Sequence, residues 1–307
     1  MECESCSIRF VESVLLTAKK EDVLDFFYKH GVMKPTTTCK QCGNILKANA
    51  EGKFRCNKLV PRTNKKPKSC RFFLSQRKGT ILERCKLPVE KLFVLVSILL
   101  QLRPPRFEFV KCELEISSRS MVMWFSFCRE VFQDFVISNS VKLGGPDSFV
   151  EIHGAKLGKI KFNGDVDSGA NKQWFGGYDR NSNNCFLVQV ESKDADSLLR
   201  IIKDWVLPGT SISSHYWEAY KCLDHEGFRQ ETMDHSKHFV DPDPDADMYT
   251  HNLDRIWREV RTTVPRHGQE YFVDYLAEFY FKRRFSDRFE RLHAFFIAAA
   301  SFCPPAY

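Results

Sequence analysis

Phe149-Val150-Glu151-Ile152-His153 is rich in β-branched and aromatic residues and reads as a short strand that opens an α/β stretch. Gln173 to Asp179 and Cys185 to Val190 read as two more strands, parted by the turn-rich Arg180-Asn181-Ser182-Asn183-Asn184. Asp194 to Trp205 has helical spacing through Leu198, Leu199, Ile202 and Trp205, and Pro208-Gly209 ends it. Ser211 to Ser214 then reads as a buried strand and Trp217 to His225 as a helix. Leu253 to Thr263 reads as a further helix, with Asp254 at its start. The succession is β-β-β-α-β-α, an α/β fold class.

Upstream the pattern is helical. Leu87-Pro88-Val89-Glu90-Lys91-Leu92 begins like a helix with proline in its first turn, and its apolar positions run to about Leu102, where Arg103-Pro104-Pro105 breaks it. A second helix is expected from Phe107 to about Glu115. Ser117-Ser118 offers an N-cap for a third, through Met121, Trp124, Phe125, Cys128, Val131, Phe132 and Phe135. Two short helices and a longer one suggest a helix-turn-helix, whose last helix would lie in a DNA major groove with Arg119 and Arg129 as contacts. Because Trp124, Phe125, Phe127 and Phe132 form a mostly apolar face, the same helix also reads as core.

Further upstream, Cys39-x2-Cys42 is followed by Cys56 and Cys70. Four thiolates close a tetrahedral structural Zn²⁺ site, and the x2 pair lets one turn deliver two ligands. Gly43 directly after it suits the tight knuckle. Cys3 and Cys6 form another x2 pair with no second pair nearby, and read as incidental thiols.

The net charge of +7 is unevenly spread. Residues 1–149 hold 26 bases and 15 acids, whereas 150–307 hold 20 bases and 24 acids, so the first half carries +11 and the second −4. Between Lys53 and Lys86 twelve bases face the single acid Glu83. Such a segment attracts polyanions through counterion release, and Lys65, Lys66, Lys68, Arg71, Arg77 and Lys78 are its candidate DNA contacts. A solvated basic surface is the alternative.

With 43% hydrophobic residues and 27 Phe, the 307-residue chain has ample core for about two to three compact units, which argues against disorder. The longest apolar run, Leu87 to Leu102, is broken by Glu90, Lys91 and Gln101 and falls short of the roughly 20 residues of a membrane span. No membrane partner is expected. The N-terminus lacks the basic and apolar regions of a secretory signal, so the twelve cysteines read as thiols or metal ligands in a reducing compartment.

Three segments carry a resemblance: Val150-Glu151-Ile152-His153-Gly154-Ala155-Lys156, then Ser211-Ile212-Ser213-Ser214-His215-Tyr216-Trp217-Glu218-Ala219-Tyr220, then Thr250-His251-Asn252-Leu253-Asp254-Arg255-Ile256-Trp257. They resemble the active-site segments of Merlin-type DDE transposases and their bacterial insertion-sequence relatives. Gln173-Trp174-Phe175-Gly176-Gly177, Leu207-Pro208-Gly209-Thr210, His235-Ser236 with Phe239-Val240-Asp241-Pro242, and Trp257-Arg258-Glu259-Val260 look like further markers of that family. The resemblance runs from about Cys39 to Phe285. It implies an RNase H-like domain, with catalytic acids at the ends of two neighbouring strands and on a later helix. It also implies an N-terminal zinc ribbon that continues through Arg71 to Thr80, and a DNA partner.

The family has aspartate, aspartate and glutamate where this chain has His153, His215 and Asp254. Phosphodiester transfer by two Mg²⁺ ions needs converging carboxylates, and imidazole suits that cation poorly. The expectation is therefore a degenerate triad on a retained scaffold, with Mg²⁺ not expected and enzymatic activity lost. The expected cause is relaxed selection after a transposon copy was domesticated or began to decay. A two-His, one-carboxylate site for Zn²⁺, Mn²⁺ or Fe²⁺ is the sharper alternative.

The remaining C-terminal features add little chemistry. Asp241 to Asp247 is an acidic, proline-broken loop, and His235, His238 and His251 are scattered. Lys282-Arg283-Arg284 reads as a phosphate contact, a nuclear-import cluster or a charged helix end. Leu292 to Ala300 is expected to pack as a helix or to meet another subunit, as in a homo-oligomer.

The expected organisation is a helical segment over 1–38, a zinc ribbon over 39–84, a helix-turn-helix-like unit over 85–142, an RNase H-like domain over 148–285 and a tail over 286–307. The expected function is that of a nuclear, transposase-derived protein binding double-stranded DNA without strand transfer. The alternatives are a residually active metal-dependent nuclease and an interaction scaffold that has lost DNA binding.

Overall fold

The computed structural model describes residues 7–17, 19–63, 65–104, 106–157, 172–192, 194–215, 223–233, 251–264 and 272–306, with the backbone alone at 65, 156–157, 172, 215, 231–233 and 251. The chain forms two compact units, Met1–Ser138 with Val273–Tyr307, and Asn139–Phe272.

The first unit opens with α1 (Phe10–Leu16) and α2 (Lys20–Lys29). Six short strands follow in three antiparallel pairs: β1 (Thr36–Thr38) with β2 (Ile45–Lys47), β3 (Lys53–Cys56) with β6 (Phe72–Ser75), and β4 (Leu59–Arg62) with β5 (Lys65–Ser69). Between them lies a small cluster of Cys39, Leu46, Phe54, Cys56 and Cys70. Three helices come next: α3 (Val89–Gln101), α4 (Phe107–Leu114) and α5 (Ser118–Ser138). α3 is apolar almost all round, from Leu92 to Leu100, and is accordingly buried. α5 buries Met121, Trp124, Phe125, Cys128, Val131 and Phe132, the spacing of one helical face.

The second unit is built on a five-stranded sheet. Its strands are β8 (Phe149–Leu157), β9 (Lys172–Asp179), β10 (Cys185–Val190), β12 (Ser211–His215) and β13 (Arg229–Met233). Two-residue strands β7 (Leu143–Gly144) and β11 (Val206–Leu207) pair in parallel beside it. The order is β10-β9-β8-β12-β13, antiparallel across the first three and parallel across the last three. Val150, Ile152, Phe175, Phe186 and Ile212 cluster with Leu198 and Ile202 of α6 (Ala195–Trp205). α7 (His251–Thr263) packs on β8 and β9, burying Leu253, Ile256, Trp257 and Val260. This order and these directions form an RNase H-like sheet.

Two of the sequence markers are packing devices. Gly176 lies opposite His153 in the β8–β9 register, and a Cβ there would stand 2.6 Å from Leu187 and 2.9 Å from Trp257 of α7. Thr210, fully buried, donates from Oγ1 to Leu207 O and accepts from Gly145 N–H at 2.8 Å, tying the β11–β12 turn to the loop after β7.

Strand β13 was not foreseen in the sequence. Of the helix expected over Trp217 to His225, only the last residues are described, and they form a 3-10 turn, Leu223–Glu226. The chain returns to the first unit in α8 (Phe272–Arg284) and α9 (Arg291–Phe302). α8 falls inside the 148–285 span expected of the α/β domain, yet Ala277 and Phe281 are buried in the helical core. There they join Phe132 and, from α9, Phe295 and Phe296. The expected tail is thus core. Among the described residues, no helix is long and apolar enough to cross a membrane.

Candidate functional site

Alternation along β8 turns Glu151, His153 and Ala155 toward α7, while Val150 and Ile152 enter the opposite core. Asp254 sits in the first turn of α7, and its Oδ1 lies 3.1 Å from His153 Nδ1, with both side chains partly exposed. β12 runs parallel beside β8 with Ser213 opposite Glu151 and Ser214 opposite Ile152. Carried one residue further, that register sets the backbone of His215 beside His153; its side chain lies outside the described residues. The structure therefore brings two of the three expected positions into contact and places the third on the neighbouring strand.

Glu151 is a further acid on the same face of β8. Its carboxylate is buried and accepts three hydrogen bonds: from Arg180 Nε at 2.8 Å, from Asn252 Nδ2 at 3.2 Å and from Leu253 N–H at 3.2 Å. Leu253 N–H is among those that a helix leaves without an internal acceptor at its start, where negative charge is favoured. Glu151 thus caps α7 onto β8 one residue before Asp254, and Arg180, packed over the Phe149 ring at 4.5 Å, completes the clamp. Position gave one signal: an acid two residues before His153 shares its face of the strand.

The four cysteines form a second cluster. Their sulfurs all lie within 4.8 Å of one another, with Cys39–Cys70 at 3.3 Å and Cys42–Cys56 at 3.5 Å, and none is in a disulfide. Sulfurs about 2.3 Å from a tetrahedral ion would stand roughly 3.8 Å apart, so the set fits one ion. The knuckle closes through Gly43 at φ +68°, with its N–H donating to Cys39 O at 2.9 Å. Burial pushes the Cys70 thiol up to about 12. Against the same effect of burial, the Gln41 N–H and then the Cys70 thiol bring Cys39 down to about 7. Cys3 and Cys6 lie outside the described residues.

Residues 142–284 match the family model of the ISXO2-like transposase domain. The α/β unit belongs to the insertion-sequence DDE transposases. Among solved structures, the chain is similar to the catalytic core domain of BIV integrase at 10% identity, covering 50% of this chain and 81% of that one, with a TM-score of 0.25. It is also similar to a simian T-cell lymphotropic virus intasome in complex with PP2A regulatory subunit B56 gamma, at 12% identity and a TM-score of 0.25. There the match covers 53% of this chain and half of that one. No curated protein matches the chain.

Outside the transposase domain, the expected DNA contacts divide by environment. Lys66, Lys68, Arg71 and Arg119 are exposed, and Lys65 is described by its backbone alone. Arg77 donates to Cys85 O at 2.7 Å and Lys78 pairs with Glu83, so both serve the turn after β6. Arg129 corrects the expectation: it is buried, 3.5 Å from Asp274 and over the Tyr275 ring at 5.2 Å, facing α8 and not a groove. Lys282 is likewise turned inward, donating to Leu99 O, Leu102 O and Glu278, which removes it from an exposed import or phosphate-binding cluster. His235, His238 and the acidic loop Asp241 to Asp247 lie outside the described residues, as does the side chain of His251.

Proposed function

We propose that this chain is a transposase-derived, nuclear protein that binds double-stranded DNA and has lost strand transfer, with Zn²⁺ holding the four-cysteine ribbon. The observation that carries the reading is the substitution at the site. Asp254 is the only acid left at the three family positions, and its Oδ1 lies 3.1 Å from His153 Nδ1. Glu151, the other acid at this end of β8 among the described residues, has three donors already and serves α7. Two Mg²⁺ ions need several free oxygen ligands, and this set of residues does not supply them. DNA binding is supported by family membership and by the twelve bases between Lys53 and Lys86. The nuclear location and a homo-oligomeric state belong to the same proposal.

The test is made on the full chain. Duplex binding is expected to weaken steeply with salt, and supercoiled plasmid to stay intact with Mg²⁺, Mn²⁺ or Zn²⁺. Binding that ignores salt, or none at low salt, would support the scaffold alternative. A second reading, a residual nuclease, is favoured by one feature: His153 Nδ1 and Asp254 Oδ1 stand side by side as ligand types that suit Mn²⁺ or Zn²⁺. Plasmid nicking abolished by Asp254→Ala would establish it.

A further inference from the structure

Residues 57–69 carry five bases, Lys58, Arg62, Lys65, Lys66 and Lys68, and no acid. They fold as β4 and β5, which among the described residues pair with each other alone. Leu59 stands opposite Ser69, Val60 opposite Lys68 and Arg62 opposite Lys65, with a register shift between Val60 and Arg62. The ribbon springs from between two of the four cysteines: Cys56 ends the strand before it, and Cys70 follows it and donates its N–H to Lys58 O at 2.9 Å. Val60 packs against the cysteine cluster. Beyond that root, Lys58, Pro61, Arg62, Lys66, Pro67 and Lys68 are exposed, and Leu59 is 63% exposed.

On folding grounds alone this arm is a poor construction. A two-stranded hairpin by itself is marginal in water, and like charges set opposite each other across strands weaken it further. Among the described residues, no carboxylate pairs with Lys58, Arg62, Lys66 or Lys68. The arm is held at its base and carries uncompensated charge at its far end. A partner of opposite charge relieves that repulsion, and a two-stranded β-ribbon is an element that a duplex groove admits. Prolines at 61 and 67 lack the N–H groups with which the arm's edges would recruit a further strand, which disfavours a β-paired protein partner.

We infer that residues 57–69 form a β-ribbon arm that enters a groove of duplex DNA, rooted at its base by the ion of the four-cysteine site. The inference rests on the DNA-binding reading above and names the element that performs it.

The experiment uses the full chain and a labelled 30-base-pair duplex, with affinity measured from 50 to 300 mM salt. A single strand of the same length serves as comparison. The variant is Arg62→Ser/Lys66→Ser/Lys68→Ser, and a control of equal charge change is Lys19→Ser/Lys20→Ser/Lys111→Ser. Metal content and far-ultraviolet circular dichroism, matched to the parent, verify that the arm variant still folds.

The expected result is a slope of log K against log salt that is shallower by about 2.7 for three lost phosphate contacts, with affinity down at least 100-fold at low salt. The control should keep its slope, and the duplex should suffer more than the single strand. An arm variant that binds with the parent slope overturns the inference and leaves the DNA-binding reading standing. Equal losses on duplex and single strand overturn the groove. A parent protein with no affinity for the duplex defeats the underlying reading instead.

Discussion

His153 meets a carboxylate at a partly exposed position, whereas His30 is packed inside the helical unit against a second imidazole. His30 Nδ1 lies 2.7 Å from Phe26 O, which makes it the donor and leaves Nε2 to accept from His293 Nδ1 at 2.9 Å. A proton added at His30 Nε2 would face another N–H. Burial, chiefly, lowers His30 from 6.5 to about 4, and lowers His293 as well. Between those values the unfolded chain binds more protons than the folded one, so this contribution is constant above pH 6.5 and stability falls as pH drops toward 4. The loss amounts to about 3 kcal/mol at most. Urea midpoints taken from pH 7 to pH 4.5 should shift down, and His30→Gln, which keeps a donor and an acceptor, should flatten the shift. An equal shift in that variant would remove His30 as its source.

Among the elements, α7 holds its place by two contacts that differ in kind. Glu151 anchors its first turn, and Gly176 lets Trp257 approach the sheet. Gly176→Ala adds a Cβ into Leu187 and Trp257, and overpacking of this sort costs about 1–3 kcal/mol. The urea midpoint of the α/β unit should fall accordingly; an unchanged midpoint would show that α7 has room to move. The ribbon's core of Cys39, Leu46, Phe54, Cys56 and Cys70 is small for independent stability, which the proposed Zn²⁺ would supply. Cys39→Ser, or removal of metal by a chelator, should release one ion per chain and open residues 36–75 to protease while the α/β unit stays resistant. Full protease resistance of that segment without metal would contradict a structural ion.

In the whole molecule, the helical unit is closed by the chain's far end. Arg106 makes a two-pronged pair with Glu278 of α8, at 2.9 and 2.8 Å, and Lys282 adds a third bond to the same buried carboxylate. Against the opposing effect of burial, Lys282 and then Arg106 hold Glu278 below the usual carboxylate range. Burial draws Lys282 down to about 8 even so. Glu278→Ala would strand two buried cations and should cost about 3–5 kcal/mol, read as a lower thermal or urea midpoint of the helical unit. A loss under about 1 kcal/mol would mean that water reaches the cations. The same closure means that a fragment ending at residue 149 lacks Phe281, Phe295 and Phe296, so DNA binding is best measured on the full chain.

The amino-acid sequence by itself determined the features that depend on near neighbours along the chain. The strands at Phe149, Gln173, Cys185 and Ser211, the helices after Pro88 and Ser117, and the cysteine knuckle all follow from local periodicity, turn residues and ligand spacing. The segments around His153, His215 and Asp254 were legible for the same reason, as short motifs. Only tertiary structure decided that Asp254 reaches His153 across 101 positions, that Glu151 caps α7, and that Arg129 and Lys282 turn inward to acids. Likewise, β13 pairs in parallel along β12, and α8 joins the helical core, where Phe281 meets Phe132 and Phe295. A cation or carboxylate reads alike in sequence whether it meets water or a buried partner. Which it meets is set by the packing of elements brought together from distant parts of the chain.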